Sequence, residues 1–318
     1  MSKHSLIVCT AILCSALGAA QTLAQHISAP SQAGSQSGMA KDQSINAGQV
    51  IELIRTKLAV TLPTDTVDTL KAGDPATVVT RIASTFTPTM AVLKKAIENG
   101  DNLIVTHEPT FYNHLDERAP FIGDPVYEEK DAYIRAHHLV LFRLHDQWHA
   151  IHPDGVVHGW VRQVGWEKYR VSGQSDLFTI PETTLKALAL ELQTTFGASA
   201  VRVVGDPKMK VAHVQYLPGA QDEVYQIKSL EREDVEVLVT GEVREWETVE
   251  YVRDAMLQKR HKALIMLGHE ISEEAGMEGC ARWLRTQFPG MRVNFISAGE
   301  PYWPVAQAAP AVHRVNHR

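Results

Sequence analysis

Three short apolar runs in this chain each lead directly into residues that can bind a metal ion. Such runs, bounded by polar residues, are typical of buried β-strands. In open α/β sheets, residues just beyond the carboxyl ends of neighbouring strands face one crevice. The sequence therefore predicts that three distant segments meet at one site. The runs and the residues that follow them are 103–106 with His107 and Glu108, 139–144 with His145, Asp146 and His149, and 263–268 with His269 and Glu273.

The residue types in these clusters indicate a metal centre. Imidazole and carboxylate ligands together suit zinc, manganese, iron, cobalt or nickel. The four-residue spacing of His269 and Glu273 places both side chains on one face of a helix, so that they can hold the same ion. The predicted metal ligands are His107, His145, His149, His269 and Glu273.

Two acidic residues in the clusters are candidate catalytic groups. Glu108 directly follows His107, where it can bind metal, act as a base or form a salt bridge. Asp146 can orient a neighbouring histidine or bind metal itself. Either carboxylate is placed to take a proton from a water molecule that a metal ion has activated.

No other catalytic signature competes with the metal clusters. The sequence has no Gly-x-Ser-x-Gly elbow, no P-loop and no Gly-x-Gly-x-x-Gly turn. We therefore expect a hydrolase that uses one or two divalent ions (zinc, manganese, iron or cobalt) and acts on an unidentified small molecule such as a phosphoester, nucleotide or small amide. The alternative is a non-catalytic metal-binding or ligand-binding protein of the periplasm.

Charge and cysteine content argue against a nucleic-acid-binding protein, a disulfide-stabilised domain and a thiol enzyme. The formal net charge is −6 and the chain has no basic stripe, which argues against a nucleic-acid partner. Beyond the N-terminal segment the only cysteine is Cys280, so no intramolecular disulfide is expected there. Cys280 falls inside a predicted helix and is interpreted as core rather than as a nucleophile.

The N-terminus has the pattern of a secretory signal peptide. Lys3 precedes a short apolar stretch and then Gly18, Ala19 and Ala20, and the stretch is too short to span a bilayer. We expect residues 1–24 to be this signal, and the protein to be periplasmic or secreted without stable membrane insertion. The alternative is an N-terminal anchor that is never cut.

Strand and helix patterns alternate along the rest of the chain, which predicts an α/β fold with mostly parallel mixed sheets flanked by helices. The middle third departs from this strand and helix alternation, which predicts a smaller α+β lobe with a helix over residues 181–196. The predicted organisation is a linker at 25–45, one domain at 46–298 made of a metal lobe (46–165 and 232–298) and an inserted lobe (166–231), and a tail at 299–318.

Several short motifs, in order, resemble one known family. The dinuclear-metal toroid family, also labelled GTP cyclohydrolase I type 2 or Nif-three-like, has the segments "THHP", "HTNLDA…GGV" and "TGE…TGHYASE…WL". The similarity covers about residues 47–298. The corresponding segments here are NLIVTHEP at 102–109, LHDQWHA at 144–150 with DGV at 154–156, VTGE at 239–242, LGHEISE at 267–273 and ARWL at 281–284.

The resemblance implies a two-lobed α/β fold, a two-metal centre and a homo-oligomer, either a dimer or a hexameric ring built from dimers. In the family the ligands are two strand-end histidines, a bridging aspartate of the middle segment, and a histidine and a glutamate of the last segment. The positions that match in this chain are His107, His269 and Glu273.

Two positions depart from the family pattern. Glu108 stands where the second strand-end histidine belongs, and His149 stands where the bridging aspartate belongs. The resemblance therefore implies that Asp146 or Glu108 supplies the bridge if two ions bind. It also implies that Glu242 lies near the centre as an outer partner or a base.

Overall fold

The computed structural model describes residues 44–304, so the predicted signal peptide and nearly all of the predicted linker lie outside the described residues. Within this range strands and helices alternate. The strands are β1 (Leu70–Ala72), β2 (Ile82–Thr85), β3 (Leu103–Thr106), β4 (Val140–Arg143), β5 (Leu177–Thr184), β6 (Arg202–Val204), β7 (Lys210–Leu217), β8 (Val237–Thr240), β9 (Ala263–Met266) and β10 (Val293–Phe295). The α-helices are α1 (Ala47–Leu58), α2 (Met90–Asn99), α3 (Pro125–Ala136), α4 (Asp146–Ala150), α5 (Gly155–Val164), α6 (Leu185–Phe196), α7 (Glu223–Glu231), α8 (Glu250–Leu257) and α9 (His269–Gln287).

Local caps decide where several helices begin. The carboxylate of Asp154 accepts hydrogen bonds from the first-turn N–H groups of α5, and Asp124 does the same for α3. The helix predicted over 181–196 begins only at Leu185, because the Thr184 side chain caps it by accepting from Ala187 N. Pro181 belongs instead to β5, an edge strand where a missing N–H is tolerated.

Two five-stranded mixed sheets form the framework. The first has the order β1-β4-β3-β2-β10, in which only β1 is antiparallel to its neighbour. The second has the order β5-β7-β8-β9-β6, with a parallel centre and antiparallel strands at both edges. The predicted α/β class with mostly parallel mixed sheets is confirmed.

The two sheets do not follow the predicted lobe boundaries. Strands β8 and β9 fall in the segment assigned to the metal lobe, yet they pair with β7 and β6 of the segment assigned to the inserted lobe. The first sheet is instead completed by β10. Strands β8 and β9 are as apolar as β3 and β4, so the local pattern predicts that they are buried strands without predicting their partners.

Each sheet is covered on both faces, because successive side chains of a strand point to opposite sides. In β3, Leu103 and Val105 join a core with α1 and α9, whereas Ile104 joins a core with α2 and α3. The second sheet is covered by α5 and α6 on one face and by α7 and α8 on the other. Cys280 of α9 is fully buried, as expected of a core residue.

Helices α5 and α9 pack closely at glycines. A Cβ atom added to Gly159 would lie 2.4 Å from the carbonyl oxygen of Ala275, and one added to Gly276 would lie 2.6 Å from the Cα atom of Val156. Val156 belongs to the core of the first sheet, and its neighbour Val157 to that of the second. The α5–α9 contact therefore joins the two cores.

Among the described helices, none combines the length and apolar character that a bilayer crossing requires.

Candidate metal centre

The structure brings together the three segments that carry predicted ligands. His107 and Glu108 directly follow β3, His145 comes just after β4, and His269 is the first residue of α9 after β9. The candidate centre therefore contains residues that follow strands of both sheets. Two sets of possible ligand atoms each lie within 4.8 Å of one another: one is His107, His145 and His149, and the other is His107, Glu108 and Glu273.

His107 and Glu273 occupy the most buried part of the centre. His107 is fully buried and Glu273 is 2% exposed. His107 Nε2 lies 3.3 Å from Glu273 Oε2, but neither atom has a hydrogen-bond partner of acceptable geometry among the described residues. Leaving a buried polar atom without a partner costs about 1–3 kcal/mol. A cation between these two atoms would satisfy both.

Each of the four imidazole rings has an oxygen atom close to its Nδ1 atom. The Nδ1 contacts are His107 to Leu144 O at 3.2 Å, His145 to Asp146 Oδ1 at 2.9 Å, His149 to Asp154 Oδ2 at 2.9 Å and His269 to Glu242 Oε1 at 3.3 Å. A carbonyl or ionised carboxylate only accepts hydrogen bonds, so we infer that each Nδ1 carries the proton. Outer contacts of this kind orient metal-binding histidines and leave Nε2 to bind the ion.

Glu108 turns one carboxylate oxygen towards the centre. Its Oε2 lies 3.1 Å from Nη2 of Arg143, a fully buried side chain whose Nε also donates to the carbonyl oxygen of His107 at 2.9 Å. Its Oε1 lies 3.3 Å from His269 Nε2 and 3.8 Å from His145 Nε2. Burial alone would raise the pKa of Glu108, but the hydrogen bond with His269 and the nearby imidazole charges lower it to about 2.

The histidines of the centre differ in how they titrate. Burial and the charges of His107 and His149 lower the pKa of His145 to about 4, so its ring is neutral at pH 7. Burial opposes the charged form of His269, yet close contacts with three surrounding carboxylates raise its pKa to about 12. Burial likewise opposes charge on His149, and the hydrogen bond with Asp154 outweighs it and raises the pKa.

Glu273 lies beside His269, one turn further along α9. Their Oε2 and Nε2 atoms are 3.2 Å apart, as the four-residue spacing predicts. Burial favours the neutral acid, but the close contacts and charges of His107 and His269 hold the pKa of Glu273 well below its usual range. Gly219, which has a φ of +65°, approaches so closely that a Cβ there would lie 2.3 Å from Glu273 Oε1.

Asp146 contacts the centre through His145. One of its oxygens is the acceptor for His145 Nδ1, and the other accepts from Thr66 Oγ1 at 2.7 Å and from Val67 N at 3.1 Å. Both oxygens therefore already have partners. Of the roles expected from the sequence, this geometry favours orienting a histidine over binding an ion or taking a proton.

Sequence reasoning did not assign site roles to Arg143, Asp154, Asp68 or Gly219. Asp68 is fully buried and accepts hydrogen bonds from the backbone N–H groups of residues 145–147, which fixes the start of α4. A charged residue at the end of an apolar run was a usable signal for Arg143. An aspartate five residues after His149 was a weaker one for Asp154. Asp68 and Gly219 are far away in the chain and left no local signal.

The donor set fits a divalent ion. Imidazole nitrogens and carboxylate oxygens suit zinc, manganese, iron or cobalt, and the orphaned atoms of His107 and Glu273 are what such an ion would satisfy. The two sets of possible ligands share His107, whose Nδ1 is already occupied by Leu144 O. Its single free nitrogen can therefore serve one ion only, and a second ion would need a bridge from a carboxylate.

Two cavities border this centre, and both are lined by Glu108, Glu242 and His269. The larger has a volume of about 780 Å³ and extends towards Lys130 of α3. The smaller has a volume of about 400 Å³ and extends towards Glu270 and the C-terminal residues near Tyr302. A further cavity of about 480 Å³ lies between β1 and α3, and none of the candidate ligands lines it.

Comparisons with known proteins agree with this fold. The chain is similar to a hypothetical protein of Staphylococcus aureus (TM-score 0.68, 16% identity, covering 82% of this chain and 99% of that one). It is also similar to a Bacillus cereus protein related to NIF3 (TM-score 0.64, 14% identity, covering 82% of this chain and 99% of that one). A third similar structure is reduced HcgD of Methanocaldococcus jannaschii (TM-score 0.54, 15% identity, covering 80% of this chain and 97% of that one). At these identities the likeness concerns the fold alone.

A search of curated proteins found no significant match. A sequence family does match: the model of Duf34/NIF3 (NGG1p interacting factor 3) aligns with residues 46–301, which is most of the chain and includes every candidate ligand. The family that the motifs resemble is therefore confirmed by a comparison that covers the whole described fold. This chain belongs to the Duf34/NIF3 family.

Proposed function

We propose that this protein is a metal-dependent hydrolase that holds one or two divalent ions between its two sheets and acts on a small molecule. The observation that carries the proposal is the pair of buried atoms, His107 Nε2 and Glu273 Oε2, that have no hydrogen-bond partner among the described residues. The large majority of buried polar side-chain atoms in folded proteins have at least one hydrogen-bond partner. Two further imidazoles, those of His145 and His149, have ring centroids 4.5 Å and 5.0 Å from that of His107.

A divalent ion in this position would supply activation of water for attack on an electrophilic substrate. Glu108 is the candidate base, because its Oε1 atom faces the centre while Arg143 fixes its other oxygen. Its low pKa keeps it ionised at neutral pH. Asp146 has the role of a positioning residue that holds the His145 ring.

Elemental analysis tests the metal part of the proposal. Protein purified without a histidine tag is expected to contain at least one divalent ion per chain, and the variants His149→Ala and His269→Ala are expected to lose most of it. The matched control is His137→Ala, because His137 is an exposed residue at the end of α3. Full occupancy in both test variants would overturn the ligand assignment.

Turnover tests the hydrolase part. The metal-loaded protein would be assayed against phosphoesters, nucleotides and small amides, beside Glu108→Gln, whose amide cannot accept a proton in the same way. We expect hydrolysis of one class and a loss of at least about 100-fold in the variant, the lower range for general-base catalysis. Stoichiometric metal without any turnover would support the other candidate, a metal-binding or ligand-binding protein.

We also propose that the protein is periplasmic or secreted and forms a homo-oligomer, either a dimer or a hexameric ring. The support for export is the signal-like N-terminal sequence, and the support for assembly is the family resemblance. Fractionation of cells expressing the full chain tests location, and light scattering of the purified protein tests assembly. A cytosolic or monomeric protein would contradict the respective part.

A further inference from the structure

Lys130 is a buried cation in the wall of the larger cavity beside the metal centre. Its side chain extends from α3, and the residue is only 4% exposed. The ammonium group donates one hydrogen bond to the carbonyl oxygen of Thr110 at 2.6 Å and lies 5.1 Å from the ring centroid of Tyr112. An ammonium group has three donors, so it retains capacity for a further acceptor.

Lys130 has no ion-pair partner among the carboxylates of residues 44–304. The acid that most affects its charge, Asp116, is already engaged by Lys71 at 3.4 Å and lies 3.8 Å from Arg143. Burial therefore outweighs this acid and lowers the pKa of Lys130 to about 8. A buried charge is normally paired, because its desolvation is costly. This one lacks such a partner and faces a cavity.

Other polar groups of the same cavity also have hydrogen-bonding capacity to spare. The hydroxyl of Thr110 is buried and has no partner among the described residues. The hydroxyl of Thr89 accepts from Val92 N, so its own hydrogen is free to donate. The carboxylate of Glu108, which also lines the cavity, is engaged by Arg143 and the histidines. The wall of the cavity therefore offers donors from Lys130, Thr110 and Thr89.

We propose that Lys130 binds the anionic group, a carboxylate or a phosphate, of the small substrate that occupies this cavity. The cavity of about 780 Å³ also reaches Glu108 and His269, so one molecule can contact Lys130 and the metal centre together. Such a volume is typical of small-molecule sites. The inference rests on the proposed function in that it assigns the cavity to the substrate of the metal centre.

Calorimetry on the metal-loaded full chain tests the inference, with inorganic phosphate and benzoate as the two probes. We expect one probe to bind, and Lys130→Met to weaken it by roughly ten- to hundredfold, the range for a hydrogen bond to a charged group. Lys130→Arg should retain most of the affinity. The control Lys95→Met removes an exposed lysine of α2 and should change nothing. The probe that binds identifies the anion as phosphate or carboxylate.

A measurement on the unmodified chain covers the case in which Lys130→Met fails to fold. Acetylation of lysines by acetic anhydride would be followed by mass spectrometry, and a bound probe is expected to slow labelling of Lys130 but not of Lys95. Equal labelling with and without both probes, or equal affinity in a folded and metal-loaded Lys130→Met, would overturn the inference.

The two proposals fail in different ways. Anion binding that depends on Lys130 in a chain without metal or turnover would leave the inference standing while the hydrolase falls. Full metal occupancy and turnover, both unaffected by Lys130→Met, would leave the hydrolase proposal standing while the inference about Lys130 falls.

Discussion

The carboxylate of Asp154 acts on two parts of the molecule at once. Its Oδ2 accepts from Nδ1 of His149 at 2.9 Å, while its Oδ1 accepts from the N–H groups of Val156 and Val157 in the first turn of α5. The same side chain therefore begins the helix that joins the two cores and orients a candidate metal ligand. A change at this position can be designed to affect only one of these tasks.

The substitution Asp154→Asn is expected to lower metal affinity by about 10- to 100-fold, the usual effect of losing an outer partner of a histidine ligand. The amide oxygen can still cap α5, but the amide nitrogen cannot accept from His149. Competition with a metal-binding dye measures the affinity. Asp124→Asn is the matched control, because Asp124 caps α3 in the same way and contacts no candidate ligand. Equal affinity in both variants would contradict the assigned role.

The substitution Gly219→Ala is expected to disrupt the centre. The new Cβ would lie 2.3 Å from Glu273 Oε1 and 3.0 Å from His269 Nε2, so both side chains must move. Gly197→Ala is the control, since Gly197 has a similar φ of +63° and open space around it. Both variants bear a backbone cost of about 1–2 kcal/mol for left-handed geometry. Only Gly219→Ala should also lose metal, as measured by elemental analysis.

Metal affinity is expected to rise with pH. The pKa of His269 is raised to about 12 in the metal-free protein, so its ring binds a proton at neutral pH that an ion must displace. Loss of one proton on binding corresponds to about a tenfold gain in affinity per pH unit. Titrations between pH 6 and 8 in two buffers of different ionisation enthalpy measure both quantities. Affinity independent of pH would show that His269 is not a ligand.

The metal-free protein is expected to lose stability in acid partly through Glu108. Its folded-state pKa of about 2 is below the ordinary value of 4.5, so its contribution is present above pH 4.5 and disappears as the pH falls through about 2. Urea unfolding at several pH values measures this effect. In Glu108→Gln the midpoint should fall less steeply between pH 4.5 and 2. An unchanged slope would show that the interactions of Glu108 with His269 and the nearby imidazole charges are not formed in solution.

The contact between α5 and α9 is expected to tolerate a methyl group at one glycine of α9 and not at the other. A Cβ on Gly276 would lie 2.6 Å from Val156 Cα, whereas one on Gly279 would meet nothing closer than 3.7 Å. We expect Gly276→Ala to destabilise by about 1–3 kcal/mol, and Gly279→Ala to stabilise by about 0.5–1 kcal/mol because alanine favours helix. Thermal unfolding of both variants measures the difference, and equal effects would contradict the packing.

The convergence of the ligand clusters could be predicted from the sequence because each one follows a buried strand. The runs before His107 and His145 form adjacent parallel strands, which bring their carboxyl ends together. The spacing of His269 and Glu273 needed only a helix after β9, and the helix is there. The α/β class could be predicted from the alternation of strand and helix patterns.

What could not be predicted depends on contacts between distant residues. Nothing local indicates that β9 pairs with β6 or that Gly219 approaches Glu273. The role of Asp146 stayed open because all the expected roles need the same residue type, and only its contacts with His145, Thr66 and Val67 separate them. The backbone carbonyl of Leu144 that holds His107 has no sequence signature at all.

Helix α9 gives the centre a wider consequence. Its first two turns carry two candidate ligands, and its later residues, among them Met277 and Leu284, fill the core beneath the first sheet. An ion bound at the start of α9 therefore stabilises only the folded state, in which the metal centre and the core of the first sheet are both assembled. At a free concentration 100 times its Kd, such an ion adds about 2.7 kcal/mol to the free energy of unfolding. Treatment with a chelator should then lower the melting temperature of the whole domain in one cooperative step.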